Sequence, residues 1–213
     1  ALLEITELMR RFKTENSPLF ILSTDVAKAF PRQDPRINLL EMIKRGLSGG
    51  ELKFSRDTYL GRRSHLKVND EVYTKPNVAD EYGETEGGTT CPPRASANFD
   101  IICKAINKSA YGVTQKGIVT SGILDDNRCV LEETEKRVPV RMMADDALYS
   151  LYTMYMSAAC YKSILAESKY TRCHYNESKC YLLALNVDFE EAEKEWKKIQ
   201  EKENITLKLT NKL

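Results

Sequence analysis

The run Val140-Arg141-Met142-Met143-Ala144-Asp145-Asp146-Ala147-Leu148-Tyr149 sets two adjacent carboxylates between apolar stretches. Bringing a pair of anions out of water is costly unless a positive charge meets them. A hairpin tip holding a divalent cation meets that need. Alone, such a pair more often marks a turn or a helix start. A second acid in a matching setting changes its weight. Leu19-Phe20-Ile21-Leu22-Ser23-Thr24-Asp25-Val26 is a short apolar run that ends in a carboxylate, the pattern of a buried strand with Asp25 near its end. If the two strands are neighbours, Asp25, Asp145 and Asp146 converge. Three carboxylates around two Mg²⁺ ions, with water and phosphate oxygens completing the octahedra, form a hard-ligand set that magnesium accepts. Two such metals activate a hydroxyl and stabilise a leaving pyrophosphate. Phosphoryl transfer asks little more than positioning and charge neutralisation.

The elements that must carry these acids are legible in outline. Leu2, Ile5, Leu8, Met9 and Phe12 recur at helical spacing, which predicts an amphipathic helix over residues 2–14, ended by Asn16-Ser17-Pro18. The Asp25 strand follows. Asp34-Pro35 is an N-cap with proline at the first helical position; Ile37, Leu40 and Ile43 are expected on the buried face and Gly46 at the stop. A short helix is expected over 51–60, and a hairpin turning at Asn69-Asp70. The Gly/Thr-rich loop from Gly83 to Pro93 opens into a helix over 95–109, and residues 116–137 read as irregular or hairpin-like. After the Asp145-Asp146 hairpin come a helix over 153–168, a strand over 179–185, a helix over 188–202 with an Asp188/Glu191 capping box, and a final strand over 204–209. Without repeats, low-complexity tracts or linkers, residues 1–213 read as one α+β unit, a small antiparallel sheet with helices packed behind it.

Ordered along the chain, four segments resemble the palm of a reverse transcriptase of the non-LTR (LINE-like) retroelement type. Asp25-Val26-Ala27-Lys28-Ala29-Phe30 is similar to that family's first catalytic motif. Gly83-x-x-Glu86-Gly87 with Cys91-Pro92 is similar to its Gly-x-x-Gln-Gly…Ser/Gly-Pro motif. Met143-Ala144-Asp145-Asp146 resembles its aromatic-Ala-Asp-Asp box, and Asn176-Glu177-Ser178-Lys179 resembles its Asn-x-x-Lys. Tyr59-Leu60-Gly61-Arg62-Arg63 with Val68-Asn69 resembles the stretch common between the first two motifs. The set spans roughly residues 1–185.

The resemblance implies a polymerase palm, part of a right-hand polymerase, that adds dNTPs to a DNA primer on an RNA template. Asp25 and Asp145 are then metal ligands, with Asp146 beside them as third carboxylate, for two Mg²⁺ ions or Mn²⁺ in their place. The Val26 carbonyl completes one metal shell. Phe30 sits against the sugar and excludes a 2′-hydroxyl. Gly83, Glu86 and Gly87 lie in a loop under the templating base and the incoming nucleotide, where glycine permits close backbone approach. Lys179 protonates or stabilises the leaving pyrophosphate. The fingers that grip the triphosphate would precede residue 1 and a thumb would follow residue 213, alongside other domains of a larger polyprotein. A chain that opens on Ala1 directly into a helix agrees with a segment of something longer.

The chain departs from the family pattern at four places. Glu86 stands where glutamine is usual; a carboxylate only accepts hydrogen bonds and repels a phosphate backbone. Met143 replaces an aromatic residue, Pro31 replaces a common acid, and Pro93-Arg94-Ala95 replaces a bulky helix start. These changes keep open a catalytically decayed palm used as an RNA-binding or scaffold module. A third class comprises other palm-fold nucleotidyl transferases. Cyclases resembling diguanylate cyclases carry a Gly-Gly-Asp/Glu-Glu-Phe box, which this chain lacks, and RNA-templated RNA polymerases usually place glycine where Ala144 stands. Two histidines are few for a metal-dependent phosphodiesterase, and neither a phosphate-binding P-loop nor a Gly-x-Ser-x-Gly elbow is present.

Bulk composition narrows the setting. Net charge is +1, so no overall basic field marks a purely electrostatic nucleic-acid binder, although the first third is enriched in lysine and arginine. Six cysteines without a CxxC pair argue against a zinc site and for a reducing intracellular compartment, cytoplasm or nucleus. No apolar run reaches the roughly 20 residues of a membrane helix, so no membrane partner is expected.

Overall fold

The computed structural model describes residues 2–27, 34–59, 63–64, 67–69, 71–72, 78–79, 91–108, 113–125, 128–138, 140–143 and 146–212. They form two compact units: Ala1–Asp25, Ile106–Ser163 and Glu177–Leu213 build the first, Val26–Ala105 and Ile164–Asn176 the second. In chain order the elements begin with α1 (Leu2–Thr14), β1 (Leu19–Asp25), α2 (Pro35–Lys44) and α3 (Gly49–Tyr59). Four two-residue strands follow: β2 (Arg63–Ser64), β3 (Lys67–Val68), β4 (Glu71–Val72) and β5 (Val78–Ala79). Then come α4 (Cys91–Lys108), β6 (Val113–Asp125), β7 (Arg128–Val138), β8 (Val140–Met143) and β9 (Asp146–Leu151). The chain closes with α5 (Met154–Thr171), β10 (Tyr181–Leu185), α6 (Phe189–Glu203) and β11 (Lys208–Thr210). The fold class is α+β, as expected.

The first unit is organised by a five-stranded sheet in the order β11-β10-β1-β9-β8. β1 is central because its run Leu19-Phe20-Ile21-Leu22 is apolar on both faces, and all four side chains are buried. It pairs antiparallel with β9 on one side and β10 on the other. Odd-numbered positions of β1 share one face. There Leu19 and Ile21 join Leu183 of β10 and meet Ile5, Leu8 and Phe12, the apolar stripe of α1. Asn16 ends α1 in the left-handed conformation (φ 48°), with the Ser17 N–H donating to the Phe12 carbonyl at 3.0 Å. α6 carries a second buried stripe, Ala192, Trp196 and Ile199. Its start is capped by Asp188, whose carboxylate accepts from the Glu191 N–H at 3.0 Å.

Two expectations need correction here. The sheet is mixed, not antiparallel, because β11 runs parallel to β10. The reason is the connection: a 15-residue helix lies between them, and a helical crossover returns the chain in the same direction. Helix α4 also starts earlier than expected, at Cys91. The stretch from 116 to 137, read as irregular or hairpin-like, is the long antiparallel hairpin of β6 and β7, in register from Val113↔Val138 with a shift between Ser121 and Asp125.

In the second unit, α2 is the departure. Leu40 and Ile43, expected inward, are exposed, whereas Asn38 and Glu41 are buried. Hydrophobic spacing failed there because ion pairs decide which face turns in. Glu41 is held by Lys44 at 2.9 Å and by Lys104 of α4 at 3.5 Å. Asp34, the N-cap, accepts the Arg36 N–H at 2.9 Å, is gripped by the Arg36 guanidinium through both oxygens, and lies 3.7 Å from Arg172. Burial works against ionisation of Asp34, but these hydrogen bonds and the charges of Arg36 and Arg172 outweigh it and hold its carboxyl below the usual range. A depressed folded-state pKa gives stability that is present above the unfolded value, near 4, and is lost as pH falls through the folded value. Asp34→Asn keeps a cap acceptor and removes only the charge. We expect it to cost about 1–3 kcal/mol at neutral pH, with the difference from the parent vanishing in urea titrations at about pH 2. A difference that persists in acid would assign the loss to packing instead.

Candidate active site

Asp25 and Asp146 are the last register pair of β1 and β9. Directly opposed residues of an antiparallel pair have their Cβ atoms about 4.5–5.5 Å apart on one face of the sheet. The two carboxylates therefore stand side by side, on the face that α1 covers at its other end. Burial falls along that face, from fully buried Leu19 to a half-open Ser23 and an Asp25 side chain that is 23% exposed. Asp146 is exposed. Behind them the structure is closed: Thr24 is fully buried and its hydroxyl donates to the Ala147 carbonyl at 3.5 Å. β8 ends at Met143, which pairs with Asp146, so the carboxylates lie at a hairpin end.

Like charges directly opposed across a ladder are destabilising. A single cation answers them among the described residues: Lys179 Nζ lies 3.6 Å from Asp25 Oδ2. Lys179 comes from the turn that precedes β10, and β10 pairs with β1 on the side opposite β9. Three segments distant in sequence thus meet because β1 lies between the other two strands. Val26 belongs to the second unit, where it bridges Tyr175, and the Ala27 N–H donates to the His174 carbonyl at 2.7 Å. Asp145, Phe30, Gly83, Glu86 and Gly87 lie outside the described residues.

The chemistry of this donor set suits magnesium. Asp25 and Asp146 offer up to four hard oxygens from adjacent strands, the donor type magnesium accepts. Among the described residues no group of three His, Cys, Asp or Glu side chains is placed to hold a metal. The third carboxylate expected from the sequence is Asp145.

Sequence reasoning passed over the layer behind Asp25. Cys180, 1% exposed, presents its thiol to the Asp25 backbone N–H; burial pushes that thiol up, and the Asp25 and Glu177 carboxylates add to the rise. Tyr161 of α5 is also buried, and its hydroxyl has no hydrogen-bond partner among the described residues. Burial, with the negative charges of Cys180 and Glu177, raises it to about 12. The signal was available: Cys180 follows Lys179 directly and precedes an apolar strand, the position of a small residue packed beneath the site. Burial likewise moves Cys160 up to about 12 and Cys173 to about 11. Because the thiolate is the nucleophile, at pH 8 only about 0.1% of a thiol with a pKa near 11 is reactive. Native protein treated briefly with iodoacetamide should show unmodified Cys160 and Cys173 by peptide mass mapping, and full modification in urea. Rapid labelling of either in the native state would contradict their placement.

No family model matches the chain. No curated protein matches it either. Among solved structures it is similar to an apo telomerase from Candida tropicalis truncated from its C-terminal domain, with 8% sequence identity and a TM-score of 0.43, over 88% of this chain and 36% of that one. The chain thus spans little more than a third of that protein's length. No helix among the described residues is long and apolar enough to cross a membrane.

Proposed function

We propose that the chain is the palm of an RNA-directed DNA polymerase of the LINE-like type, a nucleotidyl transferase that adds dNTPs to a DNA primer on an RNA template. The observation that carries this reading is the register pair Asp25↔Asp146 with Lys179 at 3.6 Å. A cross-strand pair of anions at an open sheet end is a liability for folding, and it is explained by a ligand that carries positive charge.

In this reading Asp25, Asp145 and Asp146 would hold two Mg²⁺ ions, or Mn²⁺, with the Val26 carbonyl completing one shell. When bound, the metals supply an activated primer 3′-hydroxyl and neutralise the leaving oxygen. The chain's own residues do the rest. The sheet fixes the carboxylates, so little reorganisation accompanies the transfer. As the new bond forms at the α-phosphorus, the bond to the pyrophosphate oxygen breaks. Lys179, whose side chain is 65% exposed on a turn, has the reach to leave Asp25 and meet that oxygen. Phe30 would exclude a 2′-hydroxyl, and Gly83, Glu86 and Gly87 would line the templating nucleotide. The buried reduced thiols agree with an intracellular protein.

The test is primer extension on an RNA template with Mg²⁺ and dNTPs, using the chain together with whatever flanking sequence its gene encodes and Asp145→Asn as the blank. Extension that disappears in the blank supports the proposal. A folded protein that binds primer–template but extends nothing would establish the decayed RNA-binding module instead.

A further inference from the structure

We propose that the end of the sheet opposite the carboxylates is a docking groove for an arginine-bearing segment of a partner protein. A groove of about 470 Å³ opens there in the first unit. Phe20, five residues before Asp25 on β1, lies in it, which places it about 17 Å from the carboxylates at the rise of a strand. Its floor is apolar, with Phe20 and Met154 both buried. Its wall is aromatic and open: Tyr152 is 38% and Tyr155 55% exposed.

Charge identifies the occupant. Asp188, Glu191 and Glu195 line the groove, and no lysine, arginine or histidine does. Asp188 and Glu191 complement the N-terminal end of the α6 dipole. Glu195 lies a turn further on, beyond that effect, and neither it nor the Glu191 carboxylate meets a cation among the described residues. Elsewhere on α6, Glu193 is paired with Lys197 and Glu203 with Lys162. The tyrosine wall already attracts positive charge, since Lys202 Nζ lies 5.9 Å from the centre of the Tyr155 ring. An aromatic wall in the same groove as carboxylates that meet no cation suits a guanidinium, which stacks on the rings and bonds the acids through its planar fork. The same carboxylates repel a phosphate backbone, so the groove is no extension of a nucleic-acid track.

The probe is a fluorescein-labelled peptide of three leucine-arginine repeats, titrated against the 213-residue chain by fluorescence anisotropy at physiological salt. Its citrulline counterpart has the same shape without the charge. The double variant Glu191→Gln/Glu195→Gln should weaken binding at least tenfold, as should Tyr155→Ala. Glu193→Gln/Glu201→Gln changes net charge equally on the same helix outside the groove, and should leave affinity within twofold. All these positions are exposed, so folding should survive, with circular dichroism as the check. Equal weakening by the two glutamine pairs, citrulline binding as tight as arginine, or no binding up to millimolar peptide would each overturn the proposal. So would sedimentation showing that the groove is occupied by a second copy of the chain.

Discussion

Under the proposed function, Asp25→Asn reduces Mg²⁺-dependent nucleotide addition by about 10³-fold or more, equivalent to about 4 kcal/mol of transition-state stabilisation, and leaves the fold as stable as before. The two halves of this expectation separate a metal ligand from a structural acid. In chelator, Asp25 stands beside Asp146 across the ladder, a repulsion of about 0.2–1 kcal/mol. Its contact with Lys179 is mostly solvated and worth a similar amount in the other direction. Replacing the charge by an amide of the same shape should therefore shift stability by no more than about 1 kcal/mol. Added Mg²⁺ should raise the melting temperature of the parent and not that of the variant, since a ligand stabilises only the state that binds it. Thermal scans with and without Mg²⁺, set beside primer extension, check both halves. A variant that melts early in chelator and loses activity only in proportion would make Asp25 a structural residue.

The largest loss of stability should follow Trp196→Ala. Trp196 is the chain's only tryptophan, and it is 1% exposed between α6 and the segment entering β11. Its indole Nε1 donates to the Leu207 carbonyl at 2.8 Å, an acceptor shared with Gln200 Nε2 at 2.9 Å. Truncation to alanine opens a large cavity and should cost about 3–5 kcal/mol, a major share of the 5–15 kcal/mol that holds a typical domain. Trp196→Phe keeps most of the apolar volume and leaves Leu207 its bond from Gln200, so about 1–2 kcal/mol is expected. Urea unfolding followed by far-ultraviolet circular dichroism gives both values. A midpoint for Trp196→Ala within about 1 kcal/mol of the parent would mean that α6 does not anchor the sheet. Such a variant should also loosen the groove beside Ala192 and Glu195, and with it any binding there.

Much of the local structure was legible because its causes are local. The stripe Ile5, Leu8, Phe12 could only be one face of a helix, and it covers the odd-numbered face of β1. Asp188 caps α6 through the bond its spacing to Glu191 predicts. The φ of 51° at Asn69 is what the turn between β3 and β4 required. The α2 face was not legible. Leu40 and Ile43 carry the hydrophobic signal, but Lys104 and Arg172, far along the chain, draw Glu41 and Asp34 into the interior instead. Spacing along one helix holds no trace of a partner contributed by another.

The candidate site divides along the same line. By itself the sequence determined that Asp25 ends an apolar strand and that Asp146 lies at a hairpin beside another; Lys179, expected as the first residue of a third strand, lies in the turn before it. Those facts depend on side-chain type and period, which act over a few residues. That Asp25 opposes Asp146, that Lys179 reaches Asp25, that Cys180 lies behind them, and that two tyrosines and three acids frame a groove at the far end were decided by tertiary structure. Register follows from keeping each side chain of β1 on its buried face, and strand order from pairing both of its edges, β9 on one and β10 on the other.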